Sequence, residues 1–187
     1  ARVLKLGYPG GPVIDKISRN STKCSIDFPK VNFKDNSFDF SFSGVKTAVL
    51  NYINKREQLG EAIDIENICA SFQNAVVDVL VDKTIKAAVQ MNINSIVLSG
   101  GVAANSQLRS SFDQKSKENG FEIFYPSFDL CTDNAAMIAS AGYYRFRNDY
   151  MSDKSLNAFP SLKIYENTQY LNIWGKFFME EESVIWS

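Results

Sequence analysis

The stretch Ser95-Ile96-Val97-Leu98-Ser99-Gly100-Gly101-Val102-Ala103-Ala104-Asn105-Ser106-Gln107-Leu108-Arg109 constrains the fold more than any other part of the chain. Ile96, Val97 and Leu98 form an apolar run of strand length, suited to burial on both faces and too short for a helix. Gly100 and Gly101 end it. Lacking Cβ atoms, they let the backbone turn sharply and approach a ligand. The pattern predicts a helix from Ala103 to Lys117 whose unpaired N–H groups and positive dipole end point at that turn. Asn105, one turn in, would add a side-chain amide. The spacing matches neither a Walker loop nor GxGxxG, so the stretch reads either as a phosphate-binding turn or as a plain strand-to-helix junction.

The flanking chain supplies further elements. Ala1 to Leu6 reads as the last turns of a helix closed by Gly7, and Tyr8-Pro9-Gly10-Gly11-Pro12 as a rigid turn. Pro12 suits the first position of a helix reaching about Asn20, which makes Gly10-Gly11 a second glycine pair at a helix start. Asp15 falls in the first turn of that helix. It reads either as a surface acid complementing the dipole or as the partner of a hydroxyl-bearing part of a ligand, such as a ribose.

From Ser21 to Ser43 the pattern alternates. Ile26 and Phe28, then Phe38, Phe40 and Phe42, predict two strands or extended segments with an aromatic inner face. Ser43 can cap a helix over Val45 to Leu59 that Gly60 ends, and Lys46 in its first turn is either solvated or placed near a polyanion. One long helix follows from Asp64 to Met91, with Ile65, Ile68, Cys69, Phe72, Val76, Val79 and Leu80 inward. Beyond the central turn, Asn119-Gly120 ends a helix, and Glu122 to Tyr125 is a strand cut by Pro126. Ser127 to Asn134 is a polar loop that opens a small-residue helix reaching about Phe146. Asp133 in that loop either caps the helix or presents a carboxylate at the carboxyl end of a strand, where open α/β sheets place their chemistry. The order predicts an α/β fold with a partly parallel sheet flanked by helices.

Several chemistries are excluded by composition. The chain of 187 residues has no histidine, so a Ser-His-Asp or Cys-His nucleophile and an HExxH zinc site are impossible within it. A net charge of −1 offers no global field for nucleic acid, so any RNA contact needs a local patch or a partner. Cys24, Cys69 and Cys131 are odd in number and lack a CxxC pair, which fits a reducing compartment, with Cys69 and Cys131 structural. No apolar run approaches membrane-spanning length and no signal peptide is visible, so a soluble, intracellular chain is expected.

Four segments together resemble a known family. Tyr8-Pro9-Gly10-Gly11-Pro12, Phe40-Ser41-Phe42-Ser43-Gly44-Val45-Lys46-Thr47, Gly100-Gly101-Val102-Ala103-Ala104-Asn105 with Leu108-Arg109, and Cys131-Thr132-Asp133-Asn134-Ala135-Ala136-Met137-Ile138-Ala139 look like successive motifs of the tRNA threonylcarbamoyladenosine-forming transferases, once called glycoproteases. The resemblance runs from Ala1 to about Leu162. It implies the actin-like, Hsp70-like ATPase fold, largely its C-terminal lobe, with residues 1–165 as a C-terminal portion of the enzyme domain and residues 166–187 as a tail outside it.

The family's full enzyme moves a threonylcarbamoyl group from its adenylate to the N(6) amine of the adenosine beside the tRNA anticodon. By motif, the resemblance implies that Gly11, Asp15, Gly100, Gly101 and Asn105 bind ATP or threonylcarbamoyl-AMP, and that Asp133 ligates a catalytic iron or zinc. It assigns no catalytic residue. It also implies tRNA and other threonylcarbamoyladenosine-synthesis proteins as partners, no membrane, and a location in the cytoplasm or an organelle of bacterial type.

The family's histidine-rich metal motif and Ser-Gly-Gly-His loop are missing here, so this chain alone is expected to bind no transition metal tightly and to transfer nothing. A non-catalytic nucleotide-binding or partner-binding module and a kinase of the same ATPase superfamily are the alternatives. In the tail, Leu171, Trp174, Phe177 and Phe178 are expected on one face of a short helix that either covers an apolar surface, the favoured reading, or makes a partner contact.

Overall fold

The computed structural model describes residues 1–30, 37–155 and 157. The expected tail helix with Leu171, Trp174, Phe177 and Phe178 lies outside the described residues. In chain order the elements are α1 (Gly10–Asn20), α2 (Ser43–Gln58), α3 (Ile65–Met91), β1 (Ser95–Val97), α4 (Ser106–Asn119), β2 (Glu122–Phe124) and α5 (Ala135–Arg147). Short 3-10 helices at Gly101–Ala104 and Phe128–Leu130 precede α4 and α5.

β1 and β2 pair in parallel, with Ile96 opposite Ile123, so α4 is the crossover of a β-α-β unit. This is an α/β fold with a small parallel sheet. Its centre is α3, which is apolar or small at most positions and capped at both ends. The Asp64 side chain accepts from the backbone N–H of Asn67 at 3.1 Å, and Asn92 takes the left-handed conformation that closes the helix.

The long helix is not an amphipathic one with a single inner face. Ile68 and Ala75 pack with Phe28, Val45 and Ile53 on one side, while Val77, Val81 and Ala88 pack with Ile96, Leu108 and Phe112 on the other. Ile65, expected inward, is 37% exposed. Cys69 is buried in α3, and burial pushes its thiol pKa up, as a structural role requires.

The segment around Ile26 and Phe28 is extended but belongs to no sheet. Its backbone donors are taken instead by α3: the N–H of Ser25 donates to Asn67 Oδ1 at 3.0 Å and that of Ile26 to Ser71 Oγ at 3.1 Å. The second aromatic segment also forms no strand. Phe42 leans on the α2 core and stacks on Phe40 at 6.2 Å, but Phe40 is 46% exposed, so the expected inner face covers only part of the run.

Residues 1–6 form one hydrogen-bonded turn, with Leu6 N–H donating to Ala1 O at 3.0 Å, where helix was expected. α1 starts at Gly10, not at Pro12. α5 buries none of its residues, and Met137, Ile138, Tyr143, Tyr144 and Phe146 are exposed along it. Among the described residues, no helix is long and apolar enough to cross a membrane.

Candidate functional site

Gly100, between β1 and the 3-10 helix, has φ +81°, a backbone that only glycine adopts without strain. Gly101 and Gly11 are different. Neither has a positive φ, and a Cβ built on either meets no atom within 4 Å. The fold therefore demands glycine at Gly100 and leaves open space at the other two.

The turn does not lead straight into α4. A 3-10 helix intervenes, so Asn105 is the N-cap of α4 and not a residue one turn inside it; its Oδ1 accepts from Leu108 N–H at 2.8 Å. Asn105 Nδ2 donates to Gln73 Oε1, also at 2.8 Å. An amide nitrogen carries two donors, and among the described residues the second has no partner.

Asp15 overturns the surface-acid reading. It lies beyond the first turn of α1 and is 6% exposed. Oδ1 accepts from Gln73 Nε2 at 3.2 Å, from Ser106 Oγ at 2.8 Å and from the Ser106 backbone N–H at 3.3 Å. Oδ2 pairs at 3.0 Å with Arg19, whose side chain is 60% exposed. The carboxylate thus sits on the N-terminus of α4 and complements the dipole of that helix, not of its own. Part of the positive helix end expected to face a phosphate is already occupied.

Gln73 joins the two predicted residues. It is 5% exposed, and its amide contacts Asp15, Asn105 and Gln107, the last accepting from Nε2 at 3.1 Å. Gln107 continues to Asn74 at 2.9 Å and Asn74 to Asp78 at 3.1 Å, where Lys30 pairs at 2.5 Å. The Lys30 ammonium, donating to Asp78, is held above its ordinary pKa. Sequence reasoning missed Gln73. Its signal was available: Asn67, Ser71 and Gln73 are polar residues within a helix too apolar to leave them at a surface.

Asp133 does not cap α5. Asn134 does, accepting from Met137 N–H at 3.0 Å and donating to Thr132 O at 2.9 Å. Asp133 is exposed and makes no hydrogen bond or ion pair with the described residues. Its carboxylate is unused by the fold. Among the described residues no group of three or more Cys, Asp and Glu side chains is placed to hold a metal ion, so the donor set does not fit iron or zinc by itself.

The chain's first 140 residues match the family model for tRNA N6-adenosine threonylcarbamoyltransferase. Three similar proteins, each named tRNA N6-adenosine threonylcarbamoyltransferase, come from clostridia. That of Clostridium botulinum strain 657 is 52% identical over 166 residues, 89% of this chain and 49% of its own length. That of Clostridioides difficile strain 630 is 51% identical over 164 residues, 88% and 48%. That of Clostridium perfringens strain 13 is 49% identical over 166 residues, 89% and 49%. The chain spans about half the length of the curated relatives it matches.

Proposed function

Since this chain belongs to the tRNA N6-adenosine threonylcarbamoyltransferase family, we propose that it is the nucleotide-holding C-terminal portion of a threonylcarbamoyl transfer enzyme. On this reading residues 1–165 belong to the enzyme domain, of the actin-like, Hsp70-like ATPase fold, and residues 166–187 lie outside it. The substrate side is threonylcarbamoyl-AMP or ATP, and the acceptor is the N(6) amine of an adenosine beside the tRNA anticodon.

One observation carries the reading. Asp15 and Asn105 come from separate helices and meet through a single buried amide, Gln73, in a region that also holds the glycine turn. Asn105 offers its unused N–H to a purine or phosphate acceptor. Asp15 offers Oδ2, for which a ribose hydroxyl would compete with the exposed Arg19. Gly11 and Gly101 supply space where the fold itself needs no glycine.

Asp133 is the one metal donor we assign to this portion, on the motif it shares with the family; its carboxylate is exposed and unspent by the fold. The remaining donors must come from outside this chain's residues, since a lone carboxylate does not hold a catalytic iron or zinc. No step of the transfer is therefore assigned to the chain on its own. The other threonylcarbamoyladenosine-synthesis proteins and a cytoplasmic or organellar setting remain part of the proposal.

Calorimetry with ATP tests the site. The parent chain should bind, and Gly11→Ala and Gly101→Ala should weaken binding at least about tenfold while leaving the melting temperature unchanged or raised, as glycine-to-alanine changes do at compatible backbone. Asn105→Ala should also weaken it. Variants that bind like the parent would refute the assignment, as would a parent chain that does not bind.

A further inference from the structure

Arg109 is buried, at 8% exposure, and its charge meets carbonyls, a thiol and aromatic faces. Nε donates to Ala103 O at 2.6 Å, inside the glycine turn. Nη2 donates to Pro126 O at 2.7 Å and to Cys131 Sγ at 3.1 Å, at either end of the loop that leads to Asp133. The guanidinium lies 4.0 Å from the Phe128 ring centroid and 4.5 Å from that of Tyr125. Cys131, 3% exposed, is positioned to donate weakly to Ser127 O at 3.5 Å, which closes the loop around the cation.

One side chain therefore touches both candidate binding segments, the turn at Gly101–Ala104 and the loop at Pro126–Cys131. A guanidinium suits this task because its planar donors point in fixed directions and its faces stack on rings, whereas a lysine could satisfy only part of the set. Burial makes each contact costly to lose, so the two segments hold one relative position.

We infer that Arg109 is a positioning residue that locks the Asp133 loop to the glycine turn, so that a change at one segment is transmitted to the other. The functional meaning of the link rests on the nucleotide reading of the turn given above. The link itself is physical and can be tested without any ligand.

Amide hydrogen exchange followed by NMR on the full chain provides the test. The turn is read at Ala103, whose N–H donates to Gly100 O, and at Asn105, whose N–H donates to Val102 O. The loop is read at Leu130 and Cys131, whose N–H groups donate to Ser127 O and Phe128 O. Phe128→Leu removes a ring from the loop side and leaves every hydrogen bond of Arg109 available. It should speed exchange at Ala103 and Asn105 about threefold to tenfold, the scale of one ring–guanidinium contact.

In an Arg109→Lys background, the same Phe128→Leu change should have no further effect on the turn. Unchanged turn amides in Phe128→Leu would overturn the proposal, since Arg109 would then brace the turn alone. An equal effect of Phe128→Leu in both backgrounds would overturn it too. If Arg109→Lys does not fold, the Phe128→Leu single variant decides by the first criterion. An ATP arm separates the two readings: absence of ATP protection at the turn in the parent chain counts against the nucleotide assignment, while the exchange cycle still decides the link.

Discussion

Replacing Gln73 by leucine tests the network that brings Asp15 and Asn105 together, at nearly constant volume. The change deletes three hydrogen bonds of a side chain that is 5% exposed: donations to Asp15 and Gln107 and the acceptance from Asn105. Two are between neutral groups, worth about 0.5 to 1.5 kcal/mol each, and one is to a carboxylate, worth about 1.5 to 3 kcal/mol. Those values do not simply add. Asp15 keeps Ser106 and Arg19, and the half-buried Asn105 and Gln107 can turn to water.

A net loss of about 2 to 3 kcal/mol follows, or a urea midpoint lowered by about 1 M at a typical slope for a domain of this size. Urea titration followed by circular dichroism measures it, with the exposed Gln114→Ala as a control expected within about 0.5 kcal/mol of the parent. ATP affinity, measured where both proteins are folded, should fall about tenfold because Asn105 loses the partner that orients its amide. A Gln73→Leu protein with the parent's stability and the parent's affinity would refute the reasoning on both counts.

Two further outcomes are expected. Tyr125 donates its phenol proton to Asp113 at 3.0 Å, and that bond, with partial burial, raises its pKa. The proton is held more tightly in the folded state, so the stabilisation is complete below the ordinary tyrosine value of about 10 and fades as pH rises through the higher folded value. The difference in melting temperature between parent and Tyr125→Phe should therefore shrink above about pH 10, and a difference that grows there would contradict the sign. Purified chain should retain no stoichiometric iron or zinc after dialysis, because no three Cys, Asp or Glu side chains are gathered to hold an ion among the described residues; one bound ion per chain by mass spectrometry would overturn that.

Elements set by local chemistry were legible in the sequence. The helix expected from Asp64 to Met91, the left-handed end at Asn119-Gly120, and the apolar runs of β1 and β2 lie within a residue or two of the observed elements. What depends on distant partners was not. The alternation at Ile26 and Phe28 promises a strand, yet its backbone donors go to Asn67 and Ser71, more than forty residues away. Asp15 reads either as a surface acid or as a ligand partner from its position in α1, and what surrounds it in the fold is Gln73 and Ser106, 58 and 91 residues on. Asp133 and Asn134 are equally good caps on paper. The loop geometry chooses Asn134, which frees Asp133.

The first turn of α4 explains why the glycine turn keeps its shape. Five consecutive residues there each have a different address. Asn105 goes to Gln73, Ser106 to Asp15, Gln107 to Asn74, Leu108 to the core with Phe112, and Arg109 to the loop before Asp133. The 3-10 helix is tied to this turn through the Arg109 donation to Ala103 O, so it is held from α1, α3 and the loop at once. A turn fixed on those sides has little freedom left to lose when a ligand arrives, which is the condition for strong binding by backbone N–H groups. On the nucleotide reading proposed above, space at Gly101 and rigidity around it would act together, and loosening Gln73 or Arg109 should weaken ATP binding although neither side chain is assigned to the nucleotide.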